Sequence, residues 1–255
     1  MAPPVSNSTL LRLLIVEDNR ADAALAIHSL ERGGRRLDVV QVDTRERFLE
    51  ELAKSPDIIL CDYSLPTFSA PEAIDILKDQ GLDVPFIILS GSIGEETAVE
   101  MIKRGADDYL LKDRIGRLDA AIQHALEQKA LRDEARRSAE HLRQSEFKYR
   151  CLFDHLMDAA YLCDAGTMRI IDTNRRSEHL LGLDRAAILG ARLSQYFAEG
   201  ALDRLKELTP DEDDSGVRFE ATSIVGTARR MQISATSIVI PPRTLLLVLV
   251  RPLDE

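Results

Sequence analysis

From Leu11 to about Leu126, short apolar runs alternate with amphipathic stretches. The runs are LRLLIVE, VVQV, DIILC, PFIILS and DYLLK. Between them, helical periodicity appears near Ala21–Glu31, Thr44–Lys54, Ala70–Gln80 and Glu95–Arg104, and again from Arg117 onward. An uninterrupted apolar strand is buried on both faces, so strands of this kind separated by helices predict a parallel sheet covered on each side. Five such repeats predict a flavodoxin-like (βα)5 domain of the α/β class, with a five-stranded parallel sheet, over residues 10–126. Thr44 and Ser69 stand where helix N-caps are needed, and Gly33 and Gly105 where helices end.

Between Leu126 and Leu152 there is neither Gly nor Pro, and charge of both signs is dense. Leu131, Ala135, Ser138, Leu142, Ser145, Tyr149 and Leu152 alternate spacings of four and three, a thin heptad seam. Residues 127–152 therefore predict a coiled-coil-like helix that pairs with a second copy as a parallel homodimer, in preference to a lone solvated helix. After Phe153 the rhythm changes. AAYLCDA and MRIIDTN form a hairpin pattern around Gly166, short helices follow through Leu181 and Ile188, and three strand-like stretches close the chain. These stretches are VRFEATSIV, RRMQISATSIVI and TLLLVLVRP, and the order predicts an α+β domain with an antiparallel sheet over residues 153–255.

Composition narrows the function classes. Residues 1–9 contain Pro3, Pro4 and polar residues without a charged or apolar targeting segment, the pattern of a disordered tail. No apolar run approaches the roughly 20 residues that span a bilayer. Three cysteines, Cys61, Cys151 and Cys163, make an odd set without CxxC spacing, which points to a reducing cytoplasm and away from structural zinc. A net charge of −10 opposes broad contact with nucleic acid or an anionic membrane, so neither is an expected partner.

Candidate chemistry sits at the carboxyl ends of the predicted parallel strands, where open α/β sheets place their ligand sites. Glu17 and Asp18 end the first strand, Asp62 the third, Ser90 the fourth and Lys112 the fifth. Converging carboxylates repel one another unless a hard cation lies between them, and oxygen donors of this kind suit Mg²⁺. A hydroxyl and an ammonium on neighbouring strand ends are what phosphoryl oxygens need. The set describes a carboxylate that carries a phosphoryl group beside a metal. An oxidoreductase of the dinucleotide type would need GxGxxG after the first strand, and EDNRAD has no glycine. Phosphatases with an Asp nucleophile pair it with a second Asp two residues on, and Ser64 occupies that place.

LLIVEDN, IILCDYSLP, FIILSGS and DDYLLK, in that order, resemble the response-regulator receiver family of two-component systems over about Leu11–Leu126. The resemblance implies that Asp62 is the phosphoacceptor and attacks a phosphohistidine supplied by a sensor histidine kinase or histidine phosphotransfer protein. It further implies that Asp18, Asp62 and the backbone carbonyl of Ser64 bind Mg²⁺ directly while Glu17 acts through water. Lys112 and Ser90 would contact phosphoryl oxygens, and Tyr109 would be the switch aromatic that follows Ser90. One departure stands out: Asp113 follows Lys112 where the family commonly has a proline, often cis. A non-proline cis bond costs about 2.5–4 kcal/mol, so a trans bond and a differently shaped loop are expected.

SEFKYRCLFDHLMDAAYLCD, IIDTN, LLG and the last three strands resemble a PAS domain. That resemblance admits haem, flavin or small metabolites as ligands. His155 and His179 fall outside the later helix near Ala201–Leu208, where haem-binding members carry their ligand, and Cys151 and Cys163 lack the context of flavin-reactive members. Met157, Met168 and Met231 read as core filler. A PAS domain without haem or flavin, used for dimerisation and relay, is therefore expected. The chain holds no kinase histidine box, glycine-rich ATP site or GGDEF run, so no output catalytic domain is expected within it. The order receiver–helix–PAS instead suggests regulation of a histidine kinase, a cyclic-di-GMP enzyme or a partner, or the amino-terminal part of such an enzyme. The alternative is a PAS-ligand sensor in which the receiver is a docking or dimerising scaffold.

Overall fold

The computed structural model describes residues 10–91, 95–197, 203–205, 216–224 and 229–253. The expected tail at 1–9, the SIG segment after Gly91, the DEDDS and GTA turns and most of the later helix near Ala201–Leu208 lie outside the described residues. Two compact units divide at Glu140/His141.

In the first unit five strands alternate with helices: β1 (Leu10–Val16), α1 (Arg20–Arg32), β2 (Arg36–Val42), α2 (Arg45–Leu52), β3 (Ile58–Asp62), α3 (Ala70–Asp79), β4 (Phe86–Ser90), α4 (Glu95–Lys103) and β5 (Asp108–Leu111). The sheet runs β2-β1-β3-β4-β5 and every pairing is parallel. Strand alternation divides the apolar residues between two cores. Leu14, Val16, Ile59, Cys61, Phe86 and Ile88 pack on one face with Phe48, Ile74 and Met101. Leu13, Ile15, Ile58, Leu60, Ile87 and Leu110 pack on the other with Ala26, Leu30, Leu118 and Ile122. Continuous apolar runs are what such a sheet demands, since each residue meets a helix layer on one side or the other.

Local signals place the helix ends. The Thr44 side chain accepts from the Arg47 amide, and Ser69 forms a reciprocal capping box with Glu72, with Pro71 in the first turn. Gly105 ends α4 at φ +111°, a conformation that favours glycine. Gly33 caps α1 with ordinary right-handed geometry, and the left-handed residue is Gly34 at φ +86°. After β5 the chain turns through a 3₁₀ segment, Lys112–Arg117, into α5 (Leu118–Asp154), a helix that belongs to both units. Among the described residues only Pro241–Pro242 is cis, so the Lys112–Asp113 bond is trans. Within the first unit, Lys129 and Arg132 of α5 pair with Asp83 at 3.2 and 3.0 Å, and Arg132 reaches Asp107 at 3.2 Å. The seam residues Leu131, Leu142 and Leu152 are 52, 62 and 74% exposed in the single chain.

In the second unit β6 (Ala159–Asp164) and β7 (Ile170–Thr173) form the hairpin, α6 (Arg175–Leu181) and α7 (Arg185–Ile188) follow, and β8 (Val217–Thr222), β9 (Arg230–Ile240) and β10 (Arg243–Pro252) complete an antiparallel sheet ordered β7-β6-β10-β9-β8. Tyr161, Cys163, Met168, Phe197, Met231, Ile233 and Val248 fill its core. Met157 is not core filler: it lies 76% exposed just after α5 and before β6.

Asp172 gathers the polar contacts at the end of α5. It accepts from the Tyr149 hydroxyl at 2.9 Å, from Arg150 at 3.0 and 3.2 Å and from Arg185 at 2.8 Å. Burial alone pushes its carboxyl up, but these donors outweigh burial and hold it below the ordinary Asp value. A folded-state pKa below the unfolded one means the stabilisation is fully present above about pH 4 and is lost as pH falls through the folded value. Asp172→Asn is expected to remove part of the acid limb of the second unit's stability curve and to cost about 1–2 kcal/mol at neutral pH. Urea melts followed across pH 2.5–7 check this, and an unchanged acid limb counts against it.

Candidate phosphoacceptor site

The strand order reverses between β1 and β3, and the acidic residues lie at the carboxyl ends of these two strands. Helices flank such a crevice without covering it, which leaves the strand ends open to a ligand. Ligand oxygens of Glu17, Asp18 and Asp62 lie within 4.8 Å of one another. Glu17 is 3% exposed and Asp62 9% exposed, whereas Asp18 faces solvent.

Alternation along the strands decides which groups meet. Glu17 follows Val16, Asp62 falls in step with Ile58 and Leu60, and Lys112 in step with Leu110, so all three come to the α1 side. There the Lys112 ammonium donates to Glu17 Oε2 at 2.7 Å and to Asp22 Oδ2 at 2.7 Å, and sits 3.2 Å from Asp62 Oδ2. Burial works against the charge on Lys112, but the hydrogen bonds to Asp22 and Glu17 prevail and raise its pKa. Burial pushes the Glu17 carboxyl up, opposed by Lys112 and the Asn19 amide, which donates to Glu17 Oε1 at 3.0 Å. Gln41 of β2 donates to the Glu17 backbone carbonyl at 2.7 Å, fixing the end of β1 from the neighbouring strand.

Ser90 and Tyr109 fall on the opposite side of the sheet, in step with Phe86 and Ile88. Ser90 is 2% exposed. Burial raises the Tyr109 phenol pKa and the nearby Ser90 hydroxyl lowers it, yet the phenol oxygen is buried without a hydrogen bond of normal geometry. Ser64 is exposed in the loop two residues beyond Asp62. Cys61 is fully buried, and burial followed by the charges of Asp62 and Glu17 pushes its thiol up, so it is a packed strand residue without thiolate character.

Asp22 and Gln41 escape a reading that looks only at strand ends. Asp22 comes in the first turn of α1, and its position in EDNRAD, four residues after Asp18, is the available sequence signal. Gln41 lies inside a strand and carries no such signal.

Three carboxylates around a single ammonium, with Asp18 beside two of them, leave an excess of negative charge, and the ligand atoms on offer are oxygens. That chemistry fits a hard divalent cation held by Glu17, Asp18 and Asp62.

Comparison with known proteins agrees with these features. The family described as response regulator receiver domain matches residues 13–123, and the PAS domain family matches residues 148–219. The nitrate/nitrite response regulator protein NarL of Escherichia coli K12 is 45% identical over 65 residues, which are 25% of this chain and 30% of that protein. The phosphate regulon transcriptional regulatory protein PhoB of Klebsiella pneumoniae is 32% identical over 104 residues, 40% of this chain and 44% of that one. This chain thus spans less than half the length of either relative. Among solved structures, a response regulator receiver domain protein from Clostridium thermocellum is 25% identical, covering 48% of this chain and 98% of its own at a TM-score of 0.42. The PAS domain of an HTR-like protein from Haloarcula marismortui is 18% identical, covering 46% and 99% at a TM-score of 0.41. The chain is therefore a response regulator receiver domain followed by a PAS domain.

Proposed function

We propose that this chain is a two-component phosphorelay protein in which Asp62 accepts a phosphoryl group from a phosphohistidine of a sensor kinase or phosphotransfer protein. The observation that carries this reading is the convergence of Glu17, Asp18 and Asp62 within 4.8 Å, with Lys112 beside Asp62. An Asp62 carboxylate oxygen attacks phosphorus, the P–N bond to imidazole breaks, and the imidazole leaves with the electron pair, giving an acyl phosphate. Asp18, Asp62 and the Ser64 carbonyl would hold Mg²⁺, with Glu17 acting through water. The cation supplies positive charge that offsets the attacking carboxylate and the phosphoryl oxygens. Lys112 takes one phosphoryl oxygen and the Ser90 hydroxyl another. Drawing Ser90 toward the site removes a neighbour from Tyr109, whose phenol is then free to follow. The test is incubation with acetyl phosphate and Mg²⁺, read as a gain of one phosphoryl group by intact mass and its loss to hydroxylamine. No gain of mass rejects the reading.

The proposed limits are 10–126 for the receiver, 127–152 for the signalling helix and 153–255 for the PAS domain. The exposed seam of Leu131, Leu142 and Leu152 supports a parallel homodimer through the helix. Ser138→Leu with Ser145→Leu is expected to strengthen that dimer by about ten-thousandfold, since each of the four leucines buried across the pair adds about 1.5 kcal/mol. Sedimentation equilibrium measures it, and a monomer in both proteins removes the seam. Because Tyr161, Phe197, Met168 and Met231 pack the PAS interior, we expect the purified chain to carry neither haem nor flavin. A Soret band or a flavin band at near-stoichiometric yield overturns that expectation. The output is regulation of a histidine kinase, a cyclic-di-GMP enzyme or a partner protein in the cytoplasm. None of the described helices is long and apolar enough to cross a membrane.

A further inference from the structure

An ammonium has three protons, and those of Lys112 meet three carboxylates: Glu17 and Asp22 at 2.7 Å and Asp62 at 3.2 Å. Two of these partners belong to the trio that would hold a cation. Asp22 does not; it comes from the first turn of α1, which is fixed by the Asn19 cap on the Ala21 amide. Once Glu17 and Asp62 are committed to a cation and Asp62 carries a phosphoryl group, Asp22 is the carboxylate left to hold Lys112. A lysine side chain free to rotate loses much entropy when it is fixed on a phosphoryl oxygen, and one already tethered loses less.

We propose that Asp22 is a positioning residue that tethers the Lys112 ammonium and aims its remaining N–H at the phosphoryl group. The proposal rests on the reading of Asp62 as acceptor. Asp22 touches neither phosphorus nor Asp62 in this scheme; it acts through Lys112. Its side chain is 37% exposed, so Asp22→Asn leaves no buried charge unpaired and the fold is expected to stand.

The experiment uses the full chain with acetyl phosphate and Mg²⁺, following label at Asp62 by intact mass. Asp22→Asn is expected to lower kcat/KM about tenfold, the usual effect of losing one charge-assisted hydrogen bond, chiefly through a higher KM. Asp22→Glu is expected to recover to within about threefold of the parent, because a carboxylate is restored at nearly the same reach. In a Lys112→Ala background, Asp22→Asn should change nothing further, a result that a merely structural role would not give. A second measurement needs no phosphorylation: with Mg²⁺ added, so that Glu17 and Asp62 are engaged by the cation, the Lys112 ¹⁵Nζ ammonium signal should be seen in the parent and in Asp22→Glu and be broadened away in Asp22→Asn. Labelling at or above the parent rate in Asp22→Asn, a full effect surviving in Lys112→Ala, or an unchanged ammonium signal each overturn the proposal. Should the parent itself take no label, the acceptor reading falls while the nitrogen signal still decides the tether.

Discussion

Asp62→Asn is expected to take no label from acetyl phosphate, with the rate falling by more than about a thousandfold, because the amide oxygen is a poor nucleophile. EDTA should abolish labelling of the parent in the same way, since the carboxylate trio would then have no cation to offset its charge. Loss of fold is not the cause to expect. Replacing Asp62 by its neutral isostere removes repulsion with Glu17, whose carboxyl burial and the Asp62 charge both push up. The thermal midpoint of the first unit should therefore hold or rise. Intact mass and a thermal scan of the same sample separate the two effects. Label that survives in Asp62→Asn, or forms equally well in EDTA, assigns the acceptor elsewhere.

Asn174→Ala is expected to cost about 3 kcal/mol, the largest stability loss from one polar residue in the second unit, and to lower its thermal midpoint by about 15 °C. Asn174 is fully buried at the N-cap of α6. Its Oδ1 accepts from the amides of Ala160 and Ser177 and from the Ser177 hydroxyl, at 2.9, 3.1 and 2.9 Å. Its Nδ2 donates to the carbonyls of Phe153 and Asp158 at 3.2 and 2.9 Å. One side chain thus ties the end of α5 to β6 and α6. Alanine leaves these groups buried without partners. The substitution Asn174→Asp is no remedy, because a carboxylate oxygen would then face the two carbonyls, and we expect that variant to melt no higher than Asn174→Ala. Calorimetry of the full chain, in which the second transition moves and the first does not, is the measurement. A shift of both transitions together, or of neither, removes the assignment.

α5 makes ion pairs in each unit. Lys129 and Arg132 anchor it on Asp83 and Asp107 in the first unit, and Tyr149 and Arg150 anchor it on Asp172 in the second. Asp107 also accepts from the Phe86 amide at 2.9 Å and lies two residues before Tyr109, so Arg132 is tied to the start of the strand that carries Tyr109.

Sequence alone determined what depends on near neighbours. Continuous apolar runs, caps at Thr44 and Ser69, and acids and a lysine placed just after strands give the α/β class, the element order and Glu17, Asp18, Asp62, Ser90 and Lys112 as candidates, because periodicity and capping are set within a few residues. Long-range pairing was left to the tertiary structure. Asp22 becomes a partner of Lys112, 90 positions further along the chain, only when α1 packs beside the ends of β1 and β5. Asp172 is an ordinary strand residue until α5 returns Tyr149 and Arg150 to it, and Met157 reads as apolar filler until the chain leaves it outside the core. Burial and polar partnership at such positions belong to the packed arrangement of elements, which no local pattern encodes.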